Sequence, residues 1–226
     1  MVLAAAAAIA AIVLVVTGGG GGGSTRATPG PAVAGAQETQ QLLAGIPQNG
    51  IALGSASAPV TLVEFADLQS RFCRSYTLTV LPSLVRKYVR TGKLRIVFRN
   101  IAFIGPDSQK LSRAAAAAAQ QDKLWNALNL VYRNQGAANA GYATEAFIRS
   151  VLSAVPGLDV ERALAARGGV AVRKQLDDAL ALAQRRKVRG TPWFLVGRTG
   201  GPLATLPLRR IALGQFTRPI DRLLKA

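Results

Sequence analysis

Histidine is missing from this chain altogether, and cysteine occurs once. The first absence excludes a Ser-His-Asp or Cys-His catalytic pair and any histidine-held metal. The second excludes an internal disulfide and a thiolate metal cluster. Acidic residues are scarce as well: 11 Asp and Glu stand against 28 Lys and Arg in 226 residues, a formal charge of +17. Arginine supplies 21 of those 28 bases. Only Arg26 and Glu38 are charged before residue 64, so the excess belongs to the later part of the chain. A basic surface suits nucleic acid, anionic lipid or acidic protein segments. The bases are scattered, however, and their densest cluster, Arg185-Arg186-Lys187 with Arg189, has no base-stacking aromatic pattern beside it. It reads as a solvated face, and no specific nucleic-acid partner is predicted.

What is present is strongly ordered along the chain. Met1 to Val16 is an uninterrupted apolar run, followed by Thr17 and six consecutive glycines, Gly18 to Gly23. The run falls between the length of a signal-peptide core and that of a spanning helix, and no Lys or Arg precedes it. Residues 1–17 are therefore expected to be a signal peptide or an N-terminal membrane anchor. Small residues at 32–34 and 34–36 offer cleavage sites, and the protein is expected outside the cytoplasm, anchored or secreted. Residues 18–41 are predicted to be a flexible linker, because Gly, Pro, Ser, Thr and Ala bury too little to offset the entropy of ordering. The glycine tract is no phosphate loop, lacking a Lys-Ser/Thr ending and a following helix. Residues 42–226 are expected to form one domain, folded from somewhere between Leu42 and Leu53.

Periodicity within that domain changes in a definite order. Val60 to Phe65 is a β-branched and apolar run entered from Pro59, which reads as a buried strand. Tyr76, Val80, Leu84 and Tyr88 are spaced for a helix over about 72–88, ended by Gly92. Leu94 to Ile101 is a second strand, and a strand-helix-strand unit favours a parallel pair. A long helix is predicted from Ser108 to about Asn134, then helices at about 143–154, 159–167, 170–186 and 215–224, with Asp159 as an N-cap. Between the last two, Trp193 to Val196 and Leu203 to Leu206 flank a Gly200-Gly201 turn. The fold class is α/β with a mixed central sheet.

Three strings carry a resemblance. Gly45-Ile46-Pro47-Gln48-Asn49-Gly50 leads into Leu53-Gly54 and Ala58-Pro59-Val60. Val63-Glu64-Phe65-Ala66-Asp67-Leu68-Gln69-Ser70-Arg71-Phe72-Cys73 joins a strand to a helix start. Val188-Arg189-Gly190-Thr191-Pro192-Trp193-Phe194 enters the third strand. In this order they resemble the DsbA-like thiol-disulfide oxidoreductases of the thioredoxin superfamily, over about residues 45–225. The resemblance implies a thioredoxin-like fold with a mixed central sheet and an inserted helical subdomain at about 107–187. It implies thiol-disulfide exchange on extended or unfolded polypeptides, no cofactor and no metal. It also implies a cis Thr191-Pro192 bond beside the active-site helix, with Arg71, Phe72, Thr191 and Pro192 forming the substrate-binding surface. Trp193 and Phe194 would flank that groove or enter the core, at least one of them in the core.

The chain departs from this family at its most informative position. Ser70 stands where the family nucleophile, the first cysteine of C-x-x-C, would be, and only the second sulfur, Cys73, remains. Exchange needs a thiolate to attack and a second sulfur about one helical turn away to resolve the mixed disulfide. A serine hydroxyl does neither, so the chain alone cannot complete a two-electron cycle. Two readings follow. In one, Cys73 works as a monothiol and an external thiol or redox partner resolves the intermediate; Arg71, Arg74 and the helix start would lower its pKa. In the other, Cys73 is shielded and inert, and the protein is a redox-inactive, chaperone-like peptide-binding module. A basic adaptor for anionic surfaces is a third reading. Ser70 by itself reads as a helix N-cap. Glu64 and Asp67 are read as helix-start or loop acids, with proton acceptors for the thiol as the alternative.

Overall fold

The computed structural model describes residues 32–225. The apolar run, the glycine tract and the expected signal or anchor therefore lie outside the described residues. Helix α1 (Ala36–Leu43) precedes a short hairpin of β1 (Gln48–Asn49) and β2 (Ala52–Leu53), then β3 (Val60–Ala66). Helices α2 (Arg71–Thr79) and α3 (Leu81–Leu84) continue into one π-helical turn at Val85–Val89 and lead to β4 (Leu94–Asn100). Helices α4 (Pro106–Ala119), α5 (Leu124–Arg133), α6 (Glu145–Ser153), α7 (Val160–Ala166) and α8 (Val170–Arg185) form the insertion. Strands β5 (Trp193–Arg198) and β6 (Ala204–Leu206) and helix α9 (Gly214–Lys225) close the fold.

The described strands form one mixed sheet in the order β1-β2-β4-β3-β5-β6. Strands β3 and β4 are parallel, and β5 runs antiparallel to β3. Every residue of β3 is buried, as expected for a strand with neighbours on both edges and layers on both faces. Alternation sends Val60, Leu62, Ile96, Phe98 and Phe194 into the main core. Val63, Phe65, Val97 and Leu195 face the other way, toward α8. Tyr76 of α2, Phe194 of β5 and Phe216 of α9 meet in the main core with ring centroids 4.7–5.2 Å apart.

Three expectations change. Residues 36–41, expected to belong to a flexible linker, are instead helical, with Thr39 and Leu43 of α1 buried; Thr39 Oγ1 donates to Asn129 of α5. The helix expected over 72–88 is interrupted at Val80: Pro82 has no N–H to give Leu78, so the chain restarts as α3. The helix expected over 108–134 is two. Asp122 adopts φ 57°, and its carboxylate accepts from Gly50 N at 2.6 Å, so the hairpin turn claims the residue where the helix would continue. Gly54 shows a backbone that demands glycine, since at φ 98° a Cβ would lie 2.8 Å from Leu94 O.

Candidate active site at the tip of helix α2

The turn from β3 into α2 is Asp67-Leu68-Gln69-Ser70, and the helical insertion holds it from several sides. Asp67 Oδ1 accepts from Gln69 N and Ser108 Oγ; Oδ2 accepts from Phe103 N and Ile104 N at 2.9 and 3.0 Å. Tyr132 Oη donates to Asp67 O at 3.1 Å, and Gln135 Nε2 donates to Leu68 O at 2.9 Å. Gln69 Nε2 donates to Ser108 Oγ, while its Oε1 accepts from Asn139 N. Asp67 is thus a loop acid that ties the turn to the start of α4. Gln69, Ser108, Gln135 and Asn139 had no distinguishing signal in the sequence, since single polar residues in loops and helices carry none.

Ser70 caps α2, its Oγ accepting from Cys73 N at 3.3 Å. The same hydroxyl donates to Thr191 O at 3.5 Å, which places the loop before β5 against the helix tip. The Thr191-Pro192 peptide bond is cis. Ser70, Cys73, Thr191 and Pro192 therefore share one locus, with Arg71 and Phe72 on its solvent side. Phe72 is 53% exposed, and the Arg71 guanidinium lies 4.9 Å from its ring centroid. Trp193 is half-buried and Phe194 is in the core.

The one thiol is out of reach. Cys73 is 0% exposed, one helical turn below Ser70 and packed in the main core. Burial pushes its thiol up to about 12, and Glu64 adds to the rise; hydrogen bonds involving Ser70, Asp67 and Thr191 oppose it without reversing it. The helix start and neighbouring arginines do not deliver the lowered pKa expected of a monothiol nucleophile, because the sulfur is buried in the core while Arg71 lies against exposed Phe72 and Arg74 Nε donates to Tyr132 O at 2.9 Å. Glu64 is not a loop or helix-start acid: it sits within β3, 1% exposed, paired in register with Phe194. Burial raises its carboxyl to about 8, and its Oε1 has no hydrogen-bond partner among the described residues.

A cleft of about 570 Å³ adjoins this locus, running between the end of β4, helix α4, helix α8 and the loop through Arg189 and Gly190. Phe103 and Leu180, both more than half exposed, stand on its walls.

A capped helix tip carrying Ser-x-x-Cys, set against a cis proline on a mixed sheet with an inserted helical block, defines a thioredoxin-fold protein of the DsbA-like kind. Comparison with known sequences agrees. A sequence model of the family described as Thioredoxin matches residues 47–200, and the chain belongs to that family. It is 34% identical over 143 residues to the probable disulfide bond formation protein D of Bacillus cereus, covering 62% of this chain and 66% of that protein. The disulfide bond formation protein D of Bacillus subtilis is 23% identical over 150 residues, covering 64% and 66%. The match thus spans just under two thirds of the length of these relatives. Among solved structures, oxidised BdbD from Bacillus subtilis superimposes with a TM-score of 0.68 at 19% identity, covering 80% of this chain and 98% of that one. A thioredoxin-like oxidoreductase from Silicibacter pomeroyi gives 0.60 at 26% identity, covering 83% and 98%.

Proposed function

We propose that this chain is an extracytoplasmic protein of the thiol-disulfide oxidoreductase class that engages extended polypeptides beside Pro192 and has given up the two-thiol cycle. Its parts would be an export or anchor segment at 1–17, a linker reaching to α1, and one DsbA-like domain. The observation that carries the reading is the full burial of the single thiol behind Ser70. A serine in the nucleophile position keeps the helix cap and the contact to Thr191, so the surface survives while the attacking sulfur does not. Exposed Phe72 beside the tip and the cleft ending at Gly190 supply apolar surface for an unfolded chain. The disulfide-formation names of the relatives support the class.

Those names also favour a second reading, monothiol exchange. Cys73 thiolate would attack a substrate disulfide, forming one S–S bond and releasing one substrate thiolate. An external thiol would then return Cys73 to its starting state. Alkylation separates the two. Iodoacetamide added to the folded protein between pH 6 and 9 is expected to leave Cys73 unmodified, with full labelling only in denaturant. Rapid labelling of the folded protein with a midpoint below pH 8 would establish the monothiol enzyme instead. Ser70→Cys restores the pair and is expected to form an internal disulfide with Cys73 and to reduce insulin with dithiothreitol as electron source. A Ser70→Cys protein that closes this disulfide yet exchanges with no polypeptide would sink the groove assignment.

A further inference from the structure

The second face of the sheet, opposite Cys73, is only partly covered. Helix α8 packs over it through Ala183, leaving a cleft of about 750 Å³ along β4, within the roughly 300–1,000 Å³ of small-molecule sites. Alternation along β4 places Arg95 and Arg99 here on either side of Val97, and Arg186 reaches in from the end of α8. Among the described residues, no carboxylate lines the cleft. The acid facing Arg99, Asp178, is held by Lys174 at 2.7 Å. Arg186 donates one N–H to Leu203 O, but the Nε groups of Arg95 and Arg99 are buried with no acceptor among the described residues. A buried donor left unpaired loses its water without gaining an acceptor, a cost a bound anion would relieve. Some arginines elsewhere have partners, Arg149 and Arg167 holding glutamates and Arg90 two carbonyls, but of the arginines described only Arg95 and Arg99 bury an unpaired Nε. The stems of Arg95 and Arg99 are thus covered as far as Nε while their Nη groups are not among the buried unpaired atoms, so apolar floor and accessible cation lie together in the cleft.

We propose that this cleft binds an amphipathic anion, a single carboxylate or phosphate head on an apolar body, with the head held by Arg95, Arg99 and Arg186 and the body on Val63, Val97 and Leu195. Guanidinium donors match both head groups bidentately, and an apolar floor selects against inorganic ions, which gain nothing from it. The site is separate from the helix tip and does not depend on thiol chemistry.

The test titrates the full chain by calorimetry with dodecanoate, dodecyl phosphate and dodecanol, each below its micelle-forming concentration. One saturable site for at least one anion is expected, weakened by salt, with no binding of the neutral alcohol. Whichever head binds more tightly identifies the source. Arg95→Gln with Arg99→Gln is expected to weaken binding about tenfold or more, from the loss of charge-assisted hydrogen bonds. Arg186→Gln, at the exposed end of α8, should weaken it too and guards against a double variant that does not fold. Absence of saturable binding by either anion, equal binding of dodecanol, or unchanged affinity in a folded Arg186→Gln protein would overturn the proposal.

Discussion

At the scale of single residues, burial decides chemistry. Cys73 and Glu64 both hold protons at neutral pH because the same core disfavours their charged forms. For Glu64 the consequence for stability has a definite sign. The unfolded chain ionises near 4.5 and the folded one near 8, so the native state binds the extra proton between them and stability falls as pH rises through that window. The full difference is on the order of 5 kcal/mol. Glu64→Gln is therefore expected to match the parent in urea unfolding at pH 4.5 and to exceed it at pH 9. Parallel profiles for the two proteins would show that Glu64 does not carry the titration. Ser70 is simpler: Ser70→Ala loses the cap and should cost about 1 kcal/mol, and Ser70→Gly only a few tenths.

At the scale of elements, the α2 tip is held in place by its neighbours. Asp67 gathers two backbone N–H groups of the loop after β4 and the Ser108 hydroxyl of α4 onto one carboxylate. Asp67→Ala strands those donors and should cost about 3 kcal/mol or more, read as a shift in the urea midpoint without a change of slope. Helix α9 is attached differently, with Phe216 and Ile220 as its buried residues and Phe216 against Tyr76 and Phe194. Phe216→Ala should cost about 3–5 kcal/mol. The helical spacing of Tyr76, Val80, Leu84 and Tyr88 was legible beforehand, since all four share a buried stripe. The break at Val80 was also written in Pro82, but a stripe that continues across a break masks it. The division at Asp122 was not legible, because its cause is a turn 72 residues earlier in the chain.

At the scale of the whole molecule, one core joins sheet and insertion. Phe98 of β4 meets Trp125 of α5 with centroids 6.0 Å apart, and Leu62 and Tyr132 belong to the same cluster. Sheet and insertion are thus expected to unfold together. Single-tryptophan variants, Trp125→Phe and Trp193→Phe, should give superimposable urea curves; separated transitions would mean two cooperative units. What the amino-acid sequence by itself determined is the α/β class, strands β3 to β6 with the helical stretches around them in order, the site strings at 67–73 and 188–194, and the cysteine count that denies an internal disulfide. These are local or additive properties: side-chain period, turn residues and composition. What only the tertiary structure decided is that Cys73 lies behind Ser70 rather than beside it, that Glu64 is buried with its Oε1 unpaired among the described residues, and that Arg95, Arg99 and Arg186 meet over an apolar floor. Burial and juxtaposition depend on which distant segments cover a residue, and no local pattern encodes that.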